Sequence, residues 1–124
     1  MFSGLSTNGT SIIQVQLGDS GGVENTGYIS TATSVSGAVL TASSTTGYII
    51  SGNNTSVFTH SGAVVLSSMG GDLWVLFGSL VQQAAQTSYA GGSKTLSATL
   101  DRVRITTVNG TDTFDAGTIN ISYE

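Results

Sequence analysis

The chain contains no cysteine and no proline, and very little charge. Without cysteine there is neither a disulfide framework nor a thiolate metal site, and redox chemistry gives no indication of compartment. Charged residues make up 8% of the 124 positions, against about 25% in an ordinary soluble domain. The only cations, Lys94, Arg102 and Arg104, are too few to neutralise a phosphate backbone, so no nucleic-acid partner is expected. The longest apolar run, Leu73 to Val81, is broken by Gly78 and Ser79 and falls far short of the ~20 residues of a bilayer span. No membrane insertion is expected. Met1-Phe2-Ser3-Gly4 lacks the basic residue and apolar stretch of a secretory signal. His60 is the sole histidine, and a metal site built on it would need companions from symmetry-related copies. No cofactor is expected.

Serine, threonine, asparagine and scattered glycine supply the polarity that charge does not, and β-branched residues recur with no long helix-period segment. This composition predicts one all-β domain, an antiparallel β-sandwich of jelly-roll-like form with about eight or nine strands. The expected strands are Phe2 to Ser6, Ser11 to Leu17, Tyr28 to Thr33, Tyr48 to Ser51, Ser56 to Ser67, Leu73 to Val81, Lys94 to Ala98, Arg102 to Val108 and Thr118 to Tyr123. Asn8-Gly9 and Asn109-Gly110 read as hairpin turns, and Gln82 to Gly92 as a turn or loop. Missing proline and scarce charge remove two usual protections of edge strands, so a partner chain is expected to cover them. The chain opens directly in a strand pattern, which reads as a piece of a larger protein.

Asp101 to Glu124 holds six of the ten charged side chains. A two-residue turn at Asn109-Gly110 would set Arg104 opposite Asp115 as a cross-strand ion pair. Arg102 and Arg104 share a strand face, and the alternative is a basic strip meeting a neighbouring subunit or an acidic glycan. Asp112 and Asp115 could serve as an acid and base pair or as calcium ligands. Aspartates beside Thr and Gly more commonly close Asx turns, and that reading takes precedence. Gly18-Asp19-Ser20-Gly21-Gly22 superficially resembles a serine-protease nucleophile segment, but His60 has no supporting motif, and a flexible turn is expected. His60 itself reads as a satisfied interior or interface residue. No enzymatic activity is expected.

Phe58 with Val64 to Leu66, and Leu73 to Phe77, form strands that are apolar on both faces, as expected for strands central in a core or packed against another chain. Trp74 reads first as core and second as a stacking platform for a sugar ring. Tyr28, Tyr48 and Tyr89, in polar, glycine-rich surroundings, are the other candidate ligand-binding aromatics.

The closing segment DRVRITTVNGTDTFDAGTINISYE, Asp101 to Glu124, resembles the closing segment of tailed-bacteriophage tail or fibre proteins. Phe2 to Gly9, Val15 to Gly22 followed by Thr26-Gly27-Tyr28, and Gly92 to Leu100 resemble the same group, with the weakest match from Val35 to Ser56. The resemblance implies a terminal β-sandwich module of a virion structural protein, assembled as a homotrimer with other virion proteins, and it carries no active site. A distal tail-fibre or appendage module working in assembly and attachment to host-surface glycan is the expectation. The alternatives are a capsid decoration domain (cement or head fibre) and a carbohydrate-binding module of a bacterial enzyme.

Overall fold

The computed structural model describes residues 1–83 and 85–124. Its described residues form eleven strands: β1 (Phe2–Thr7), β2 (Ile13–Asp19), β3 (Gly22–Val23), β4 (Ile29–Val35), β5 (Val39–Ser44), β6 (Tyr48–Ile49), β7 (His60–Ser68), β8 (Leu73–Gln82), β9 (Gln86–Thr95), β10 (Arg102–Thr107) and β11 (Phe114–Ile119). The antiparallel seven-stranded sheet runs β11-β1-β7-β8-β9-β4-β5, and the smaller sheet runs β10-β2-β3 with β6 also paired to β2. The expected all-β sandwich is present, with two strands beyond the nine expected, the two-residue β3 and the edge strand β5.

Period-two alternation builds the core. Ile13, Val15 and Leu17 of β2 face Leu76 and Leu80 of β8, Ala32 of β4 and the rings of Tyr28 and Tyr48 within one buried cluster. The tyrosine rings meet edge to face, with centroids 5.1 Å apart at 88°. Each hydroxyl reaches backbone. Tyr48 Oη donates to the Trp74 carbonyl at 2.9 Å, and Tyr28 Oη accepts the Leu17 N–H at 2.7 Å and donates to the Glu24 carbonyl at 3.0 Å.

Three local expectations are corrected. Gln86–Thr95 is a full strand running between β8 and β4, not a loop. Its Gly92 is required by what lies beside it. A Cβ on Gly92 would come within 2.4 Å of the Ile29 carbonyl and 2.9 Å of the Tyr48 ring. The last strand is Phe114–Ile119 rather than Thr118 to Tyr123, because its ladder with β1 starts at Thr7↔Phe114 and runs out at Phe2↔Ile119. The edge strand β5, paired to β4 along Ser30↔Ser44 to Val35↔Val39, had no counterpart among the expected strands.

Both Asn-Gly segments are corners between sheets instead of hairpins. The first carries β1 of the large sheet to β2 of the small one, and the second carries β10 back to β11. They interlock. Asn8 Oδ1 accepts the Thr113 N–H, Asp112 Oδ2 accepts the Ser11 N–H, and the Asn109 N–H donates to Ser11 Oγ, each at 2.9 Å. A Cβ on Gly9 would overlap the Asp112 carboxylate at 2.1 Å, so a larger residue there would have to displace that side chain from its bonds to the corner. Asn109 Oδ1 accepts the N–H groups of Thr111 and Asp112, an Asx turn that satisfies the loop backbone locally.

Candidate functional site

The crossing at Asn109-Gly110 separates the residues expected to pair. Arg104 lies on β10, opposite Gln16 of β2, whereas Asp115 lies on β11 in the other sheet and accepts a hydrogen bond from Ser6 Oγ. The Arg104–Asp115 ion pair is therefore not formed, since its register required a hairpin that the chain does not make. Arg104 Nε and Nη2 donate instead to Gln16 Oε1, at 2.8 and 2.5 Å. The ion pairs among the described residues are Lys94 with Glu24 and Arg102 with its neighbour Asp101. Asp112, held by Asn109 Nδ2 and the Ser11 N–H, has its carboxyl below the usual carboxylate range. Both aspartates weighed for acid–base work are thus occupied in holding strands and corners.

The candidate aromatics divide. Tyr28 and Tyr48 are buried in the core, so neither offers a ring to a ligand. Desolvation raises both phenol pKa values, as the loss of water around a would-be phenolate requires. Trp74 is half-buried and packs against the core cluster. Only Tyr89 is exposed, on the outer face of β9.

That outer face exposes apolar side chains on several neighbouring strands. Cross-strand registers align Val65, Phe77 and Gly91 in one row, Ser79, Tyr89 and Thr33 in the next, and Val81, Thr87, Val35 and Val39 in a third. Phe77 is 51% and Tyr89 58% exposed, and the opposing Gly91 leaves open space beside Phe77. The five strands β7, β8, β9, β4 and β5 contain only two residues of basic type and no acidic ones, and both, His60 and Lys94, are buried. The outer face of these five strands carries no charge. With strands about 4.8 Å apart it extends about 20 Å across the sheet. Alternation of Leu73, Val75, Phe77 and Val81 against Trp74, Leu76 and Leu80 marks both faces of β8 as apolar in the sequence; which face is uncovered needs the structure.

Two buried polar networks involve titratable groups. Lys94, 6% exposed, pairs with Glu24 and lies 5.3 Å from the centroid of the Tyr28 ring. The Lys94 ammonium and the Ser97 N–H hold the Glu24 carboxyl down at about 2. His60 is fully buried, as a satisfied interior histidine. Its Nε2 accepts from Gln82 Nε2 at 3.0 Å and its Nδ1–H donates to the Leu5 carbonyl at 3.2 Å. Gln82 Oε1 accepts from Ser34 and Ser88 hydroxyls at 2.7 and 2.5 Å, which fixes the amide orientation and hence the histidine tautomer. Burial pushes the His60 pKa down.

On the outer face of the small sheet, Gln14 and Gln16 are buried under the loop between β5 and β6. Gln16 Nε2 donates to the Thr46 carbonyl at 2.8 Å and Thr46 Oγ1 donates to Gln14 Oε1 at 3.2 Å. Gly47 permits this approach, since a Cβ there would sit 2.6 Å from Gln14 Oε1. A shallow polar pocket of about 270 Å³ results, with Arg104 and Asn109 on its wall. The Gln-x-Gln spacing inside the apolar alternation Ile13, Val15 and Leu17 is the sequence signal for it.

No protein-family model, curated protein sequence or solved structure matches the chain. The fold and these faces define an antiparallel β-sandwich with an uncharged sheet face.

Proposed function

We propose that the chain is a non-enzymatic structural module of a bacteriophage virion, a distal tail-fibre or appendage sandwich that assembles as a homotrimer and attaches to host-surface glycan. The virion setting rests on the resemblance of the closing segment and of the Phe2 to Gly9, Val15 to Gly22 and Gly92 to Leu100 stretches. The observation that carries assembly is the uncharged outer face of strands β7, β8, β9, β4 and β5, where Val65, Phe77, Val81, Tyr89, Val35 and Val39 stand exposed. Contiguous apolar surface of this kind marks interaction sites. A chain of net charge −4 gains from such a face, because copies meet there without like charges opposed.

Sedimentation equilibrium tests the reading. A mass three times the 12.5 kDa of the chain supports it, and a 12.5 kDa monomer at micromolar concentration overturns the assembly function.

A further inference from the structure

We propose that the pocket around Arg104 is the glycan contact of this module and that it takes a carboxylate-bearing sugar, a hexuronate-type residue of an acidic polysaccharide. The inference rests on the attachment reading above and narrows it to a site and a chemistry.

Arg104 is a cation whose recorded side-chain partner is a neutral amide. Gln16 Oε1 receives two of its N–H groups, which orients the guanidinium and leaves its charge uncompensated. A guanidinium has five N–H donors, so three remain, enough for the two parallel bonds of a carboxylate fork. Gln16 is itself fixed by the Thr46 carbonyl, so the fork is held before any ligand arrives. Asn25 and Thr106 add an amide and a hydroxyl group to the lining, the complement of sugar hydroxyls, beside Gln14 and Asn109, whose amides are already bonded within the protein. At about 270 Å³ the pocket is smaller than the roughly 300–1,000 Å³ that encloses drug-sized ligands, which fits one sugar unit of a longer chain. Asp112 is the near acidic group, one hydrogen bond away through Asn109, and both its oxygens already have donors. Arg102, two residues along the same strand, is neutralised by Asp101 and serves as the control.

The test is titration of the ¹⁵N-labelled chain with oligogalacturonate, neutral oligogalactose and a sulfated galactan. Oligogalacturonate is expected to shift the side-chain amide signals of Gln14, Gln16 and Asn109. R104Q and R104K should each weaken binding about tenfold or more, R104K because it keeps the charge but loses the fork, while R102Q changes it less than about twofold. Q16A, which leaves the charge and frees its orientation, should weaken binding to an intermediate degree and covers the case in which an Arg104 variant is unfolded. Oligogalacturonate binding that is indifferent to both positions overturns the proposal. Preference for the sulfated galactan would replace the carboxylate with a sulfate ester and overturn the hexuronate assignment. Neutral oligogalactose bound equally by wild type and R104Q would remove the acidic site and leave attachment standing. No binding of any of the three would overturn attachment and site together, and Arg104-dependent binding by a monomer would keep the site while removing the assembly function.

Discussion

Lys94 and Glu24 show how a chain with ten charged side chains uses them. Lys94 is held between a carboxylate and the Tyr28 ring, so removal of its partner leaves a buried ammonium uncompensated. Glu24→Ala is expected to destabilise the fold by about 3 kcal/mol, the low end for breaking a buried pair because Glu24 is itself 20% exposed. Chemical denaturation at pH 7 measures it. The same pair sets an acid limit. The folded Glu24 carboxyl, at about 2, lies below its ordinary 4.5, so its stabilisation is whole above pH 4.5 and disappears as pH falls toward 2. His60 acts in a different window. Its folded pKa is depressed from 6.5, so the unfolded chain binds the proton first and stability declines as pH falls below 6.5. His60→Gln should flatten the dependence of Tm on pH between 7 and 5 while lowering Tm at pH 7, because a buried donor or acceptor in the Leu5–His60–Gln82 chain loses its geometry. A variant with an unchanged slope would place the acid sensitivity elsewhere.

At the scale of elements, the strands whose alternation is strong were legible. β1, β2, β4, β7, β8 and β10 fall within a few residues of their expected positions, because β-branched and aromatic residues recur at period two against Ser, Thr and Gln. What failed has a physical cause in each case. Gln86–Thr95 has weak strand propensity, and its Gly92 is set by the Ile29 carbonyl and the Tyr48 ring, which no local pattern reveals. Asn109-Gly110 does turn the chain, with Gly110 at φ 69°, yet a turn signal does not say whether the next strand returns to the same sheet. That ambiguity misplaced Arg104 against Asp115, and with it the reading of the charged segment. For the aromatics, Tyr28 and Tyr48 have the same polar surroundings in sequence as Tyr89, and only packing separates core from surface. Gly92→Ala tests the explanation for β9. The added methyl group meets the Ile29 carbonyl near one end of the β4–β9 ladder and should cost about 1–3 kcal/mol, whereas Gly91→Ala, which meets nothing closer than 4.0 Å, should be near neutral. Thermal unfolding of the two variants distinguishes them.

For the whole molecule, the two proposed contacts differ in their physics. Association through the outer face of the seven-stranded sheet buries Phe77, Val65 and Val81 with no charge involved, so it should be insensitive to added salt and strengthen modestly on warming from the cold. Phe77→Asp would place a carboxylate in every copy at the contact and should return the protein to a 12.5 kDa monomer with its circular dichroism unchanged. An oligomer that survives this substitution would need another interface. Ligand binding at Arg104 should weaken as salt rises from 50 to 500 mM, since a single exposed cation is screened over about 10 Å at 0.1 M.

The ladder between β1 and β11 adds a mechanical property. Met1 and Asn120 bond to each other through both main-chain groups, so the chain enters and leaves the sandwich at one point. Tension applied between those two residues would open the β1–β11 pairing one hydrogen-bonded rung at a time, as a zipper, instead of loading all rungs together. The sandwich is therefore soft to a pull across Met1 and Asn120, and the force at which it yields, read by single-molecule stretching, should be far lower along that axis than between attachment points on β2 and β8.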